Sequence, residues 1–350
     1  MKNFKIGKTK VGLNQKCFIV AELSGNHAGS LQRAKKLILK AKIAGADAVK
    51  LQTYTSDTIT LNSDLKDFKI KSNSPWKKKK NLWNLYKGAQ TPWDWHKSLF
   101  TYAKKVKIEI FSSPFDETAV NLLEQLKCPA YKIASAEINH IPLLERVAKT
   151  KKPVILSIGL ATKKDISLAV KTLRANGCNK IIILQCVSEY PAKIQDQNLN
   201  LIPEIKKEFD VISGLSDHSI GFVSALSSVI IGGSVVEKHF NLKDKTKTVD
   251  SFFSMKEENF TRMVKLIREA ESSIGKSNFQ HSYNKIKNIN SRRSIYVSKD
   301  ISNGEKLNIK NIKVVRPGYS LHPKYFKYLL GKKTKKPLKK GSRLSLKDIK

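Results

Sequence analysis

The chain is poor in the residues that would cross-link it. Among its 350 residues only four are cysteines: Cys17, Cys128, Cys178 and Cys186. They lie far apart and form no C-x-x-C pair, so neither a disulfide framework nor a zinc ribbon is encoded. Cys17 and Cys186 fall within apolar runs, where a thiol behaves as a small buried hydrophobe in a reduced compartment. Long hydrophobic runs are also missing. No stretch approaches the about 18 apolar residues a membrane helix needs. Residues 1–11 are polar and basic and lack the apolar centre of a signal peptide. Together these absences predict a cytoplasmic protein.

Acidic residues are scarce as well, 29 against 66 basic ones, for a formal net charge of +37. Such an excess raises the possibility of a nucleic-acid-binding protein. The excess is almost all lysine, however, and it is spread along the chain, with local runs at 77–80 and 332–340. No groove-reading motif or basic patch interleaved with aromatics accompanies it. Solvated lysine faces account for it better, and a cationic cleft would in addition attract anionic substrates.

What is present is alternation. Eight short apolar runs lie at residues 17–23, 48–52, 108–112, 130–133, 154–157, 181–186, 211–215 and 235–240. Helix-period segments separate most of them, at 31–44, 93–106, 117–126, 163–176 and 199–208, and a last one covers 256–274. Eight strand–helix units over about 250 residues predict an α/β fold, a TIM (β/α)8 barrel. The rival, a doubly wound open sheet, usually has fewer strands and a glycine-rich phosphate loop after the first, and that loop is absent here. Residues 54–90 break the alternation and read as an extended loop on the face where barrels keep their active sites. We place a catalytic domain at 1–274, a polar linker at 275–290 and a small β-rich domain at 291–350, with strands near 294–297 and 313–315.

The strand ends carry the chemistry. In order, they offer Glu22, Asn26 and His27; Lys50 and Gln52; Ser112 and Ser113; Lys132, Ser135 and Glu137; Ser157; Ser188 and Tyr190; Ser216, Asp217 and His218; and Glu237, Lys238 and His239. Buried polar groups cost free energy unless paired, so convergence at all eight strands points to a functional site rather than packing. Lys50 and Lys132, with hydroxyls at Ser113, Ser135, Ser157 and Ser216, would cradle phosphate and carboxylate groups. His218 and His239 end adjacent strands and suit a divalent metal with open positions, and the neighbouring carboxylates Asp217 and Glu237 favour that reading over ordinary hydrogen bonding. Glu22 and Glu137 are candidate acid–base groups.

With these residues in view, the chain resembles the sialic acid synthase family. The resembling segments are AELSGNHAGS (21–30), AGADAVKLQTYTSDTITL (44–61), FSSPFD (111–116), YKIASAE (131–137), GLSDHSIG (214–221), VVEKHF (235–240) and RPGYSLHPKY (316–325). They recur in order along nearly the whole chain. TPWDWH (91–96) and RPGYSLHPKYFKYLLGKK (316–333) resemble the pseudaminic acid branch more than the neuraminic or legionaminic acid branches. The resemblance implies an antifreeze-like (SAF) C-terminal domain and a transferase that condenses phosphoenolpyruvate with an amino-sugar aldehyde. It assigns phosphoenolpyruvate to Lys50, Ser113, Lys132, Ser135, Ser157 and Ser216. A divalent metal ion (Mn2+, Mg2+ or Co2+) goes to His218 and His239, catalysis to Glu22 and Glu137, and the sugar to Gln52, Tyr190, Asp250 and Arg316. It further implies a homodimer whose swapped C-terminal domain carries Arg316 into the partner's barrel. The departures from the family pattern are KDKTKTVDS before and through Asp250, KSNSP at 71–75, and Val187 where threonine is usual.

Overall fold

The computed structural model describes residues 3–350 except Asn73, Lys276, Ser277 and Lys285, and leaves aside the side chains of His281 and Ser282. It divides the chain into two compact units, Met1–Gly275 and Lys276–Lys350. No helix among the described residues is long and apolar enough to cross a membrane.

The first unit opens with a hairpin, β1 (Phe4–Ile6) and β2 (Thr9–Val11). Its inward residues Ile6 and Val11 bury fully in one cluster with Phe18, Val20, Ala48 and Phe111, which ties the hairpin to the barrel core. The strands that follow are β3 (Phe18–Glu22), β4 (Ala48–Thr53), β5 (Glu109–Pro114), β6 (Tyr131–Ile133), β7 (Val154–Ser157), β8 (Ile181–Cys186), β9 (Ile212–Asp217) and β10 (Val235–Asn241). All neighbours are parallel, and β10 pairs with both β9 and β3, so the eight-stranded sheet closes into a barrel. A two-residue strand, β11 (Met255–Lys256), lies beside β10.

The predicted runs match these strands to within two residues at either end. The strands are almost wholly buried, as a sheet sandwiched between a packed interior and an outer ring of helices requires. The first helix (Leu31–Ile43) is capped by Ser30, the helix Glu117–Gln125 by Asp116, and Lys163–Ala175 by a Thr162/Asp165 capping box. Two helices, Ile141–Ala148 and Val223–Ile230, escaped the periodicity reading because each is only eight residues long. The segment 54–90 is not wholly irregular either. It contains short turns of helix at Ser56–Ile59 and Lys66–Phe68 and a two-turn helix at Leu82–Ala89 capped by Asn81. Asn73, within its KSNSP stretch, lies outside the described residues.

The second unit holds an antiparallel pair, β12 (Ser294–Val297) and β13 (Ile312–Val315), with a core of its own built around Ile295, Val297, Ile312 and Leu344. The expected linker falls at its start. Lys276, Ser277 and Lys285 of that segment lie outside the described residues, and a short helix occupies Phe279–Tyr283.

Candidate active site

Strand alternation decides which side chains meet. In β10, Val235, Glu237 and His239 share one side and Lys238 takes the other. In β4 the same rule turns Lys50 and Gln52 together, and in β3 it turns Glu22 to meet them.

The centre is a buried charge cluster. Lys50 Nζ lies 2.6 Å from Glu22 Oε2 and 3.3 Å from Glu237 Oε1. Lys132 Nζ reaches the same Glu237 oxygen at 3.5 Å. Ser113 Oγ accepts from Lys50 at 3.4 Å, and Ser216 Oγ donates to Glu237 at 3.3 Å. Glu22 Oε1 also accepts from the Ser24 amide at 2.8 Å and from Gln52 Nε2 at 3.3 Å. Burial alone would strip Lys50 of its proton, but the carboxylates of Glu22 and Glu237 outweigh it and raise its pKa. Lys132 faces only Glu237 at contact distance, and burial prevails, lowering its pKa. Sequence reading offered Glu237 only as a carboxylate near the metal ligands; here it is the hinge between the two lysines.

The expected hydroxyl cradle lies at the ends of the neighbouring strands. Ser135 Oγ accepts from the Gly159 amide at 2.6 Å. A Cβ at position 159 would stand 2.4 Å from Ser188 Oγ and 3.1 Å from both the Cys186 carbonyl oxygen and Ser135 Oγ, so a larger residue there would push the serine hydroxyls out of place. Ser157 Oγ is buried with no hydrogen-bond partner among the described residues, and the same holds for Glu137 Oε2, Glu237 Oε2 and His239 Nδ1. A buried polar atom left unpaired costs about 1–3 kcal/mol, so a cluster of them marks groups that await a ligand. Burial raises the Glu137 carboxyl to about 7, against the ordinary 4.5, and outweighs the pull of Lys132 and Lys50 the other way.

The imidazoles of His218 and His239 lie 5.3 Å apart, centre to centre. His218 Nδ1 donates to the Val187 carbonyl at 2.9 Å, which fixes its ring and leaves Nε2 free to ligate. This bond uses the backbone of residue 187, so valine serves there as well as threonine would. Among the described residues no group of three or more His, Cys, Asp or Glu is arranged to hold a metal. Two imidazoles, one of them with an orphaned buried nitrogen, fit an ion that keeps several positions open for oxygen ligands. Asp217 does not take part: register places it against Lys238, 2.7 Å away, on the far side of β9 and β10.

Beside the histidines lies a cavity of about 250 Å³. Gln52, Tyr190, His239 and Asp250 line it, joined by Ser24, whose hydroxyl bonds Asp250. Tyr190 stacks 4.5 Å from His218 and 5.1 Å from Phe253. Three of the four residues expected to face the sugar therefore share one chamber. The fourth, Arg316, belongs to the second unit and stands exposed just after β13.

Residues 37–279 match the model of the NeuB family, and residues 292–350 match that of the SAF domain. The chain belongs to the NeuB family. It is 44% identical over 336 residues to the pseudaminic acid synthase of Campylobacter jejuni, covering 96% of this chain and 97% of that protein. The pseudaminic acid synthase of Helicobacter pylori is likewise 44% identical over 335 residues, with 95% and 97% covered. The N,N'-diacetyllegionaminic acid synthase of Legionella pneumophila is 32% identical over 338 residues. Among solved structures, the spore coat polysaccharide biosynthesis protein SpsE of Bacillus subtilis superposes with a TM-score of 0.68 at 30% identity. That superposition covers 100% of this chain and 99% of that one. These relatives span the barrel and the small domain together, and they leave no support for the nucleic-acid-binding alternative.

Proposed function

We propose that this NeuB-family chain is a cytoplasmic pseudaminic acid synthase. It condenses phosphoenolpyruvate with 2,4-diacetamido-2,4,6-trideoxy-altrose and water, yielding pseudaminic acid and phosphate. What carries the reading is the buried Lys50–Glu237–Lys132 cluster beside paired imidazoles, in a chain 44% identical to pseudaminic acid synthases across nearly its whole length.

Lys50 and Lys132 bind the phosphate and carboxylate of phosphoenolpyruvate, assisted by the hydroxyls of Ser113, Ser135, Ser157 and Ser216 and by the Gly159 amide. His218 and His239 would hold a divalent ion (Mn2+, Mg2+ or Co2+), which would supply Lewis acidity toward the sugar aldehyde. The vinyl carbon of phosphoenolpyruvate forms the new C–C bond at that aldehyde carbon as the enol π bond opens, and the aldehyde oxygen takes a proton from water to become a hydroxyl. Glu137, poised to exchange a proton near neutral pH, takes one from the water that adds to the former enol carbon. The C–O bond to phosphate then breaks as the added hydroxyl passes its proton to the departing phosphate and becomes the keto oxygen, and the lysines hold the departing charge. Glu22 acts through Lys50: fixed by Ser24 and Gln52, it positions the ammonium group. Gln52, Tyr190 and Asp250 orient the sugar, and Arg316 completes its site from the swapped domain of a partner subunit in a homodimer.

The test is phosphate release from phosphoenolpyruvate with three sugars: the diacetamido-trideoxy-altrose, N-acetylmannosamine and the legionaminic acid precursor. The expected result is the highest kcat/KM with the first. A preference for either of the others overturns the choice of sugar, and no release with any of the three overturns the synthase reading.

A further inference from the structure

The cavity beside His239 owes part of its wall to a residue that no strand supplies. Trp76 comes from the segment between β4 and β5, and its Nε1 donates to the Val249 carbonyl at 2.9 Å. Its ring meets Tyr190 edge-on at 5.8 Å and Phe252 at 6.1 Å. Beneath this contact is Gly25, where a Cβ would stand 2.5 Å from Val249 Cγ2 and 3.2 Å from the Ala89 carbonyl oxygen. The segments that follow β3, β4 and β10 therefore close upon one another over the chamber.

The chamber is two-sided in chemistry. Ser24, Gln52, Asp250 and the tyrosines Tyr54 and Tyr86 bring polar groups, while Trp76, Leu85, Val249 and Phe253 bring carbon. Trp76 has a single polar atom, and that atom is committed to Val249, so toward the cavity it presents only apolar and π surface. Tyr190 lies between Trp76 and the imidazole of His218. A linear sugar with its aldehyde at the imidazoles and its chain laid along Tyr190 brings its far end to the indole. A methyl group gains burial against such a wall. A hydroxymethyl group laid against the indole face itself loses water without gaining a hydrogen bond from that face.

We propose that Trp76 is a specificity-determining residue whose indole receives the terminal methyl of a 6-deoxy amino sugar and discriminates against the same sugar bearing a 6-hydroxyl. This rests on the synthase reading given above. An apolar pocket discriminates against an added hydroxyl by at most about 10²-fold, which sets the scale of the effect.

The experiment compares kcat/KM for 2,4-diacetamido-2,4,6-trideoxy-altrose and its 6-hydroxy counterpart, read as phosphate release at saturating phosphoenolpyruvate. The wild type should favour the deoxy sugar by between ten- and a hundred-fold, as an order of magnitude. Trp76→Ala should cut that preference by about tenfold, through a raised KM for the deoxy sugar, and leave the KM for phosphoenolpyruvate unchanged. Trp76→Gln keeps an N–H donor for Val249 but offers a polar face, and should lose the preference too. Trp76→Phe keeps the apolar face without the donor and should retain most of it. A wild-type preference that survives in both the Ala and Gln variants overturns the proposal alone. Equal loss of turnover of both sugars in all three variants also overturns it, because Trp76 then only holds the loops. Wild-type enzyme that releases no phosphate with either sugar overturns the substrate reading and the proposal with it.

Discussion

The floor and the roof of the site are built by different means. Lys50, Lys132, Glu22 and Glu237 stand on barrel strands, are almost wholly buried, and meet at 2.6 to 3.5 Å. The roof residues Trp76, Leu85, Val249 and Phe253 stand on segments after β4 and β10; Trp76 and Phe253 each pack against Tyr190, with ring centres 5.8 and 5.1 Å away, and Trp76 donates one long-range hydrogen bond to Val249. Strand register fixes the floor, so a change there disturbs several charges at once. The roof depends on contacts between segments far apart in sequence, so it can vary without touching the floor. The proposed function gives phosphoenolpyruvate chemistry to the first and choice of sugar to the second, and each variant below either sharpens or breaks that division.

The largest effect is expected at the floor. Lys50→Ala leaves Glu22 and Glu237 buried without their nearest cation. Removing one partner of a buried pair destabilises by about 3–5 kcal/mol, so the melting temperature should drop. Loss of a charge aimed at the substrate should lower kcat/KM for phosphoenolpyruvate on the order of 10³-fold. Lys132→Ala should act in the same direction. Calorimetry together with steady-state kinetics checks both, and a Lys50→Ala protein with full stability and activity would break the division at its base. Next comes His239→Ala. Its Nδ1 has no partner among the described residues, so the fold should survive while turnover falls on the order of 10²-fold. Chelation of the wild type should match that loss, and Mn2+ should reverse the chelation but not the substitution. Full activity in a chelated preparation would rule out the metal.

Glu137 is the floor's link to pH. Its carboxyl, raised to about 7 by burial, is a carboxylate only above that value. As the proposed base it must be ionised, so kcat/KM should fall as pH drops below about 7. Glu137→Gln should abolish that limb and lower the rate about 10²-fold. The same shift carries a stability sign. A carboxyl that holds its proton more tightly when folded favours the native state at low pH, and this contribution disappears as pH rises from 4.5 through about 7. Wild-type stability should therefore decline across that window relative to Glu137→Gln, and parallel curves would show that the carboxyl is not shifted. A smaller loss, about tenfold in kcat/KM for the sugar, is expected for Arg316→Ala, because one guanidinium contact is removed. Mixing dissociated Arg316→Ala and His239→Ala chains should restore about a quarter of wild-type activity, the share of intact sites if half the dimers are hybrid. Hybrids that form without regaining activity would confine Arg316 to its own subunit or remove it from the site.

How far these residues could be read in advance follows the same division. Apolar runs and their spacing located every barrel strand, and the strand ends contained every floor residue. The strand period of two, applied strictly, would also have set Glu237 beside His239 and turned Asp217 away with Lys238, as register does. The segment that carries Trp76 was legible as a loop on the active-site face, but the contact Trp76 makes there was not. Trp76 lies in a segment without period, and its hydrogen bond joins residues 173 positions apart. The free nitrogen of His239 and the raised Glu137 carboxyl are likewise products of burial by remote side chains, for which a linear sequence offers no local sign.

The smallest effect is expected a few residues from Trp76, and it separates site from surface. Lys78 and Lys79 are exposed and contribute to the +37 net charge. Lys50 carries the same charge, but its surroundings are protein rather than water. At 0.15 M ionic strength solvent-exposed charges are screened beyond about 8 Å, whereas at 0.01 M they act over about 30 Å. Neutralising both surface lysines should thus change the KM for phosphoenolpyruvate less than about twofold at physiological salt, and by at most a few-fold at low salt, where long-range steering of an anion survives. The Lys50→Ala deficit, by contrast, should persist at both ionic strengths, because the contact it removes is buried and little screened. A double surface variant as impaired as Lys50→Ala at 0.15 M would mean that overall charge, and not the strand-borne cluster, captures the substrate.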